Sequence, residues 1–383
     1  MKIDSDVCSS DLKLLLVINE DRFFLSHRTR IAERAIADGW DVTLVAKNTG
    51  HREEVERMGI KFIELPVNPT GMNLKEEMKT LWFLYKLYRK NPDAIIHQVG
   101  LKNMMWGSLA SRFTKTKGVV YAVSGLGTLF GENRNRKLSR MIQRVLKFGM
   151  NKHNVAVIFQ NHDDEGLFIG GGIVNDQKVY FIKGSGVDLE EYPFSPVPLK
   201  DPLKIIFTAR MLKEKGVEDL IKAAEILRPK YEGHIEFLLC GGLSANPSAL
   251  TEEDMKKLSD GRYIKWLGHR TDVVNLLSES SIMCFPSFYR EGVPKSLIEA
   301  SAIGRPIVTT DSVGCRDTVE HGRNGFIVPT HNPKEIAKAL KRLIDDRELM
   351  ENMGVESRKI AERDYDVNRV ADTHIEIYTK LNS

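Results

Sequence analysis

The stretch IMCFPSFYREGVPKSLIEA, residues 282–300, is the most direct indication of the fold. Its first four residues are apolar and predict a buried strand, while a helical pattern begins at residue 295. Pro294 stands where a proline can open a helix, because the first helical turn leaves its own N–H groups unpaired. A buried strand that passes through a short loop into a helix is typical of a parallel sheet covered by helices.

The same alternation extends along the chain in both directions and predicts an α/β protein. Before residue 193, strands are predicted at 14–18, 42–46, 61–63, 94–97, 119–123, 155–159 and 178–182, and helices at 27–38, 51–58, 75–90, 103–113, 134–150 and 163–169. After residue 202, strands are predicted at 204–208, 235–239, 263–266, 282–285 and 306–309. The helices predicted there are 216–228, 252–259, 272–278, 295–303, 315–321, 333–344, 346–353, 355–363 and 366–382. This rhythm predicts two doubly wound, Rossmann-like domains.

A proline-rich segment separates the two series. Residues 193–202 contain four prolines, which fit neither a helix interior nor a central strand, so this segment is predicted to be a linker. We therefore expect a first domain at 13–192, a second at 203–365, and a last helix at 366–383 that crosses back to the first. Residues 1–12 are polar and aperiodic and are interpreted as a loose tail. Ligands of doubly wound domains bind at the carboxyl ends of the strands, so the cleft between the domains is the expected site.

Composition excludes several classes of protein. Cys8, Cys240, Cys284 and Cys315 lack the spacing of a metal site or a disulfide framework and are expected to be thiols in a reducing compartment. No apolar run approaches the ~18 residues that span a bilayer. We therefore expect a cytoplasmic protein.

The usual phosphate-binding motifs are missing. The sequence contains no Gly-Lys dipeptide and hence no P-loop, and residues 125–131 are one residue too long for a dinucleotide fingerprint. The D-x-D at residues 4–6 lies in the tail, which gives a metal-bridged diphosphate little support. We expect neither a cofactor nor a metal.

Two cations follow the first strand of the second domain. Arg210 and Lys215 lie on the loop between strand 204–208 and the helix that starts at residue 216. Without a metal, a diphosphate needs fixed cations, and arginine offers a bidentate fork while lysine offers a mobile point charge. A solvated basic loop is the alternative interpretation.

The start of the helix at 295 adds a second source of positive charge. Gly292 and Val293 lead into it, and a glycine allows the backbone to approach a ligand closely. The first turn should present free N–H groups from three residues, namely Lys295, Ser296 and Leu297. A helix start of this kind binds phosphate.

Glu291 and Glu299 flank this helix start. Because like charges repel, these carboxylates are unsuited to a diphosphate, but they can accept hydrogen bonds from sugar hydroxyls. Glu291 is suited to a donor sugar and Glu299 to a ribose. The alternative is that both are surface acids of a helix.

These motifs together resemble glycosyltransferase family 4, which has the GT-B fold. The resemblance covers nearly the whole chain and includes Arg210-x4-Lys215, residues 287–294, Glu299-Ala300, Gly304-Arg305-Pro306, residues 314–317 and residues 322–326. Within the family it is closest to capsule and O-antigen enzymes, which share the stretches 23–28, 124–127, 159–161 and 184–188.

The resemblance implies a retaining, metal-independent transfer of a sugar from a nucleotide-diphosphate donor, usually a UDP-sugar. Arg210 and Lys215 match the diphosphate-binding pair, and Glu291 and Glu299 match the paired glutamates. The turn with His269 and Arg270 matches the one that holds the base. The implied acceptor is a saccharide on a polyprenyl diphosphate, and the implied mechanism is attack on the face that the diphosphate leaves.

Candidates on the first domain are fewer. Ser124, Gly125 and Asn161 fall in matching stretches and are candidate sugar contacts, but many family members have histidine where this chain has Ser124, so the resemblance does not identify the sugar. His27 and Arg28 are expected to open the first helix and to contact the acceptor or a phosphate; a capping role is the alternative.

Positive charge is concentrated in one segment. The chain has a net charge of +4, but residues 101–162 contain eleven Lys/Arg and one acid, Glu132. Such a surface implies an anionic partner, and we expect segment 134–152 to contact an anionic membrane. The apolar stripes of helices 75–90 and 134–150 are expected to face their own sheet.

Three other functions are alternatives to sugar transfer. A nucleotide-sugar 2-epimerase shares the two domains and would act without an acceptor. A nucleic-acid-binding protein could use the basic segment, but the strands carry no basic, aromatic-rich platform, so no nucleic-acid partner is expected. An inactive scaffold would not need the cation pair and both glutamates.

Overall fold

The structure, a computed structural model, describes residues 12–68, 73–126, 136–244, 246 and 248–383. The chain divides into two units, one formed by residues up to Ser185 together with Asn368–Ser383, the other by Gly186–Val367. The tail expected at 1–12 lies outside the described residues except for Leu12, and so do Cys8, Gly127 and the first two residues of the helix expected at 134–150.

The first unit contains a parallel sheet of seven strands in the order β3-β2-β1-β4-β5-β6-β7. The strands are β1 Lys13–Glu20, β2 Asp41–Lys47, β3 Lys61–Glu64, β4 Ala94–Val99, β5 Gly118–Val123, β6 Val155–Phe159 and β7 Val179–Phe181. The helices are α1 Asp21–His27, α2 Thr29–Ala37, α3 Arg52–Arg57, α4 Leu74–Lys90, α5 Leu101–Arg112, α6 Arg136–Met150 and α7 His162–Gly170. Two buried clusters, one on each face of the sheet, form its core.

The second unit contains a parallel sheet of six strands in the order β10-β9-β8-β11-β12-β13. The strands are β8 Leu203–Thr208, β9 Ile235–Cys240, β10 Ile264–Gly268, β11 Ile282–Phe285, β12 Ile307–Thr310 and β13 Gly325–Val328. The helices are α8 Val217–Tyr231, α9 Glu252–Leu258, α10 Val273–Ser278, α11 Lys295–Ile303, α12 Pro333–Asp345 and α13 Arg347–Asp364, and α14, Val367–Asn382, ends the chain. In both sheets the strand order reverses beside the first strand, so the prediction of two doubly wound domains is confirmed.

Local differences from the sequence prediction have identifiable causes. The helix expected at 315–321 is only a 3-10 turn, Arg316–Thr318, because the Asn324 side chain accepts a hydrogen bond from the N–H of Glu320 (2.8 Å) and the chain then enters β13, which was not predicted. The two helices expected at 346–353 and 355–363 form the single helix α13. Its Gly354 is a packing position, since a Cβ there would lie 2.5 Å from the carbonyl oxygen of Gly304.

The boundary between the units lies before the predicted linker. Val187 donates its N–H to the Tyr365 carbonyl (2.8 Å) and accepts from the N–H of Val367 (3.1 Å). Tyr192 and Val197 belong to the core of the second unit. The first unit thus ends at Ser185, where the prediction placed its end at residue 192, because the following residues already pack on the second sheet.

The three cysteines among the described residues, Cys240, Cys284 and Cys315, are buried free thiols, as expected. Burial raises the pKa of each, so the thiols are protonated at neutral pH. No helix in the described part of the chain is both long and apolar enough to cross a bilayer.

A buried polar cluster packs α14 against the first sheet. His97 of β4 contacts the Tyr378 hydroxyl through Nδ1 (2.6 Å), and its ring stacks on that of His374 at 5.4 Å. Nδ1 of His374 donates to the Val370 carbonyl (2.7 Å). Arg28 is buried in the same region, only 3% exposed, and raises the cost of any further positive charge there.

This cluster predicts that stability falls in acid. Burial, with the nearby Arg28 charge, lowers the pKa of His97 well below its usual range and that of His374 to about 3. Below about pH 6.5 the unfolded chain therefore binds protons that the folded chain does not, at a cost of about 1.4 kcal/mol per pH unit for each histidine. We expect a lower unfolding temperature at pH 5.5 than at pH 7.5.

The pH dependence, measured by thermal unfolding, should be smaller in His374→Asn than in the unmodified chain. His153→Asn, a substitution at an exposed histidine of the same unit, is the control and should leave the slope unchanged. Equal slopes for all three proteins would mean that His374 is not buried in its neutral form.

Candidate functional site

The predicted site residues of the second unit lie at one edge of its sheet. Arg210 follows β8, His269 follows β10, and residues 286–292 follow β11. These strands are parallel, and β8 is hydrogen-bonded to β11. Their carboxyl ends consequently bring the three loops together.

The loop after β8 is attached to the loop after β11. The Glu214 carbonyl accepts hydrogen bonds from the N–H of Phe288 (3.0 Å) and from the Ser287 hydroxyl (3.1 Å). Gly216 has a φ of +77°, and a Cβ there would lie 1.9 Å from the Pro286 carbonyl oxygen. Only glycine combines that backbone conformation with so close an approach.

This attachment brings Lys215 and Glu291 into an ion pair. The Lys215 ammonium contacts Glu291 Oε1, and the two side chains are only 13% and 15% exposed. The Ser287 hydroxyl oxygen lies 3.3 Å from the same oxygen. The ammonium also lies 5.5 Å from the ring centroids of Phe285 and Tyr289. The pair is therefore largely shielded from water. Electrostatic interactions are stronger in such an environment than in water.

Arg210 lies on the same loop but is exposed. The positive charge of Arg210 opposes the rise that burial causes in the pKa of the Tyr289 hydroxyl. Because the Lys215 ammonium also lies near the Tyr289 ring, both cations are close to this residue. Among the described residues no carboxylate forms an ion pair with Arg210. Its guanidinium can therefore meet an anion that arrives from solvent.

The N-cap residue of α11 supplies no side-chain cap. This residue is Pro294, and it makes no side-chain hydrogen bond to the first turn of the helix. The prediction that Leu297 offers a free N–H is wrong, because this group donates to the Pro294 carbonyl at 3.0 Å. Lys295 and Ser296 are partly exposed at this end, and Gly292 and Val293 before them are buried.

Glu299, one turn further along α11, is held by a residue that the sequence did not reveal. The Tyr192 hydroxyl donates to Glu299 Oε1 (3.1 Å), and the Lys295 ammonium lies 3.7 Å from the same oxygen. Burial raises the pKa of this carboxyl, whereas Lys295 and Tyr192 oppose that shift. Tyr192 precedes Glu299 by 107 residues, so no local pattern could connect them.

The turn after β10 lies beside a glycine pair that follows β9. Gly241 donates its N–H to the Gly268 carbonyl (2.8 Å) and accepts from the Trp266 indole (3.0 Å). His269 is exposed next to Gly242, while the Arg270 guanidinium is already paired with both oxygens of Asp272 (2.8 and 2.5 Å). Glycines directly after a predicted strand were the signal that could have added this pair to the site.

The candidates of the first unit come from the segments that follow β1, β5 and β6, and β5 is hydrogen-bonded to β6. Ser124 and Gly125 follow β5, and Asn161 caps α7 by accepting the N–H of Asp164 (2.8 Å). The prediction that His27 and Arg28 open the first helix is wrong. His27 ends α1, where its ring stacks on Phe23 at 4.3 Å, and Arg28 lies between α1 and α2 in the buried polar cluster.

Two family models match the chain. One, described as glycosyl transferases group 1, matches residues 188–360, and the other, glycosyl transferase 4-like, matches residues 13–161. The first match contains the loop with Arg210 and Lys215, the start of α11, and both Glu291 and Glu299.

The chain is also similar to individual glycosyltransferases. The chain is 26% identical to N,N'-diacetylbacillosaminyl-diphospho-undecaprenol alpha-1,3-N-acetylgalactosaminyltransferase of Campylobacter jejuni, over 91% of this chain and 93% of that protein. It is also 26% identical to the Escherichia coli UDP-Gal:alpha-D-GlcNAc-diphosphoundecaprenol alpha-1,3-galactosyltransferase, over 81% of each. A solved glycosyltransferase from Rickettsia africae has the same fold, with a TM-score of 0.77 at 17% identity over 97% of this chain and 98% of that one.

The approach of Gly216 to Pro286 can be tested by adding one methyl group. Gly216→Ala should lower the free energy of unfolding by about 2–4 kcal/mol, since it combines an unfavourable positive φ with a clash. Gly233→Ala is a matched control, because Gly233 has a φ of +88° and nothing within 4 Å of its added Cβ. It should cost only about 1–2 kcal/mol. Equal losses in denaturant unfolding would contradict the close contact between the two loops.

Proposed function

The chain is a glycosyltransferase with the GT-B fold, and on this premise we propose that it moves a sugar from a UDP-sugar to a lipid-linked saccharide, with retention of configuration and without a required metal. The observation that carries the proposal is the placement of Lys215, Glu291 and the start of α11 around one edge of the second sheet. All three come from loops that follow neighbouring strands.

The positive groups suit a departing diphosphate. Arg210 is exposed and available, Lys215 is shielded and fixed by Glu291, and Pro294 at the start of α11 supplies no side-chain cap. A helix start carries roughly half a positive charge. Fixed charges of this kind stabilise a leaving group in the transition state more strongly than mobile water does.

The proposed reaction begins when the bond between the sugar C1 and the diphosphate oxygen breaks. The electron pair leaves with the UDP, where Arg210, Lys215 and the N–H groups of α11 offset the added charge. The acceptor hydroxyl oxygen bonds to C1 on the same face, and its proton passes to the departing diphosphate oxygen. Glu291 accepts hydrogen bonds from the donor sugar and keeps Lys215 in position.

The nucleoside is assigned to the neighbouring parts of the same edge. Glu299 would accept hydrogen bonds from the ribose, and the backbone of the turn at His269 would hold the uracil. The pairing of Arg270 with Asp272 makes the Arg270 side chain a less suitable base contact than its backbone. The E. coli relative is named as using UDP-Gal, which favours UDP as the nucleotide.

The acceptor proposal rests on the relatives. Both curated relatives are named for substrates on undecaprenyl diphosphate, and the match covers most of each chain. A substrate of this kind resides in a membrane, so the enzyme needs access to one.

A helical face of the first unit has the chemistry for this access. Cations of α6 spaced along one side are exposed, among them Arg140, Arg144 and Lys147, while Ile142 and Leu146 face the core. Lys152 is not available for contact with a membrane, because its ammonium donates to Ser111 and Thr116 inside the unit.

Exposed apolar side chains accompany these cations. The expectation that the apolar stripes only face the sheet is incomplete, since α4, α5 and α6 lie side by side and leave several large side chains in solvent. They are Leu74, Met78, Trp82, Phe113, Met141 and Phe148. Apolar side chains among cations are typical of surfaces that bind anionic membranes.

The diphosphate assignment predicts a loss of turnover. Arg210→Ala and Lys215→Ala should each lower kcat by about 10²–10³-fold, because each removes ~3–4 kcal/mol of transition-state stabilisation. Lys213→Ala, at an exposed lysine of the same loop, should retain near-normal turnover and serves as the control. The measurement is release of UDP with a lipid-linked acceptor, with folding checked by thermal unfolding. Near-normal rates in either loop variant would exclude this assignment.

The membrane proposal predicts charge-dependent binding to vesicles. The double variant Arg140→Glu/Arg144→Glu should weaken co-sedimentation with phosphatidylglycerol vesicles at least about tenfold, since each lost cation is worth ~1 kcal/mol. Lys256→Glu/Lys257→Glu, on the exposed helix α9, is the matched control and should bind normally. Binding that ignores vesicle charge, or equal losses in both variants, would contradict the proposal.

A further inference from the structure

The segment that enters the second unit is fixed against α11 at several points. Arg358 donates to the carbonyls of Tyr192 (2.9 Å) and Ala302 (2.8 Å). Three residues later, Ser195 donates its N–H to the Ile303 carbonyl at 3.0 Å. Tyr192 itself is only 8% exposed and belongs to the core of this unit. The backbone of Tyr192 therefore has a defined position relative to α11.

Its side chain reaches the one carboxylate of that helix. The Tyr192 hydroxyl donates to Glu299 Oε1 at 3.1 Å, and the Lys295 ammonium lies 3.7 Å from the same oxygen. None of the contacts of Glu299 recorded within the described residues involves Oε2. A carboxylate that is held through one oxygen presents the other in a fixed direction.

A ribose places particular demands on such a carboxylate. Its two neighbouring hydroxyls donate most strongly to an ionised group, because charge-assisted hydrogen bonds are about twice as strong as neutral ones. Burial opposes ionisation of Glu299 and raises its pKa, and the charge of Glu191 acts in the same direction. Lys295 and the Tyr192 hydroxyl favour the ionised form.

We propose that Tyr192 is a positioning residue for nucleotide binding, which orients Glu299 so that Oε2 can accept the ribose hydroxyls. This inference rests on the proposed function, in which Glu299 contacts the ribose. It extends the candidate site to a residue of the segment between the two sheets. Tyr192 makes no contact with the nucleotide itself and acts through Glu299.

UDP binding measured by calorimetry between pH 6 and pH 8 tests this role. Tyr192→Phe should weaken UDP binding about three- to tenfold at pH 7, as expected for one lost hydrogen bond. The loss should increase as the pH falls, because without the hydroxyl the pKa of Glu299 rises further and the carboxylate becomes protonated at a higher pH. A role in folding alone would lower stability without moving this pH profile.

Tyr231→Phe is the matched control, since the Tyr231 hydroxyl donates to the Asp345 carboxylate (2.6 Å) elsewhere in the same unit. It should leave both UDP affinity and its pH dependence unchanged. A third variant, Glu299→Gln, tests whether Glu299 binds the nucleotide, independently of the role of Tyr192. If Glu299→Gln weakens UDP binding and Tyr192→Phe does not, the positioning role is wrong while the proposed donor site stands. If Glu299→Gln has no effect, Glu299 is not a nucleotide ligand, and both the inference and that part of the proposed function are wrong.

Discussion

The ion pair between Lys215 and Glu291 is the interaction on which the candidate site depends. The two residues are 76 positions apart in the chain and meet because β8 and β11 are neighbours in the sheet. Both side chains are largely withdrawn from water, so removal of either would leave a costly unpaired charge. The pair also holds a lysine in place at the sheet edge from which α11 begins, and an anion is favoured at the start of a helix.

The surrounding backbone keeps this arrangement rigid. The Glu214 carbonyl and the close contact between Gly216 and Pro286 join the loop of Lys215 to the loop of Glu291. The Ser312 hydroxyl donates to the Ser287 carbonyl (2.8 Å) and supports the second loop from β12. Preorganised charges stabilise a transition state because they need not reorient when the reaction occurs.

The sequence predicts the fold well because buried parallel strands appear as short apolar runs and covering helices appear between them. It fails where tertiary contacts override that pattern: the Asn324 side chain bends the chain into β13, and Gly354 lies inside a continuous helix, where its backbone packs closely on Gly304. In the site, Arg210, Lys215, Glu291 and Glu299 could be named from local motifs, and all four occur at one edge of the second sheet or on the helix that starts there. Tyr192 could not, since its contact with Glu299 exists only after the chain has folded. The sequence also did not identify the exposed apolar residues of α4 and α6. An apolar pattern of helical spacing does not show which of its side chains remain outside the core.

The most direct test of the central claim compares the binding of UDP with that of uridine, which differ only in the diphosphate. The difference between their binding free energies is the contribution that the diphosphate makes to binding. We predict that UDP binds far more tightly than uridine to the unmodified chain, and that the difference shrinks when Arg210 and Lys215 are both replaced by alanine. Equal affinities for UDP and uridine, or an undiminished difference in the double variant, would contradict the account.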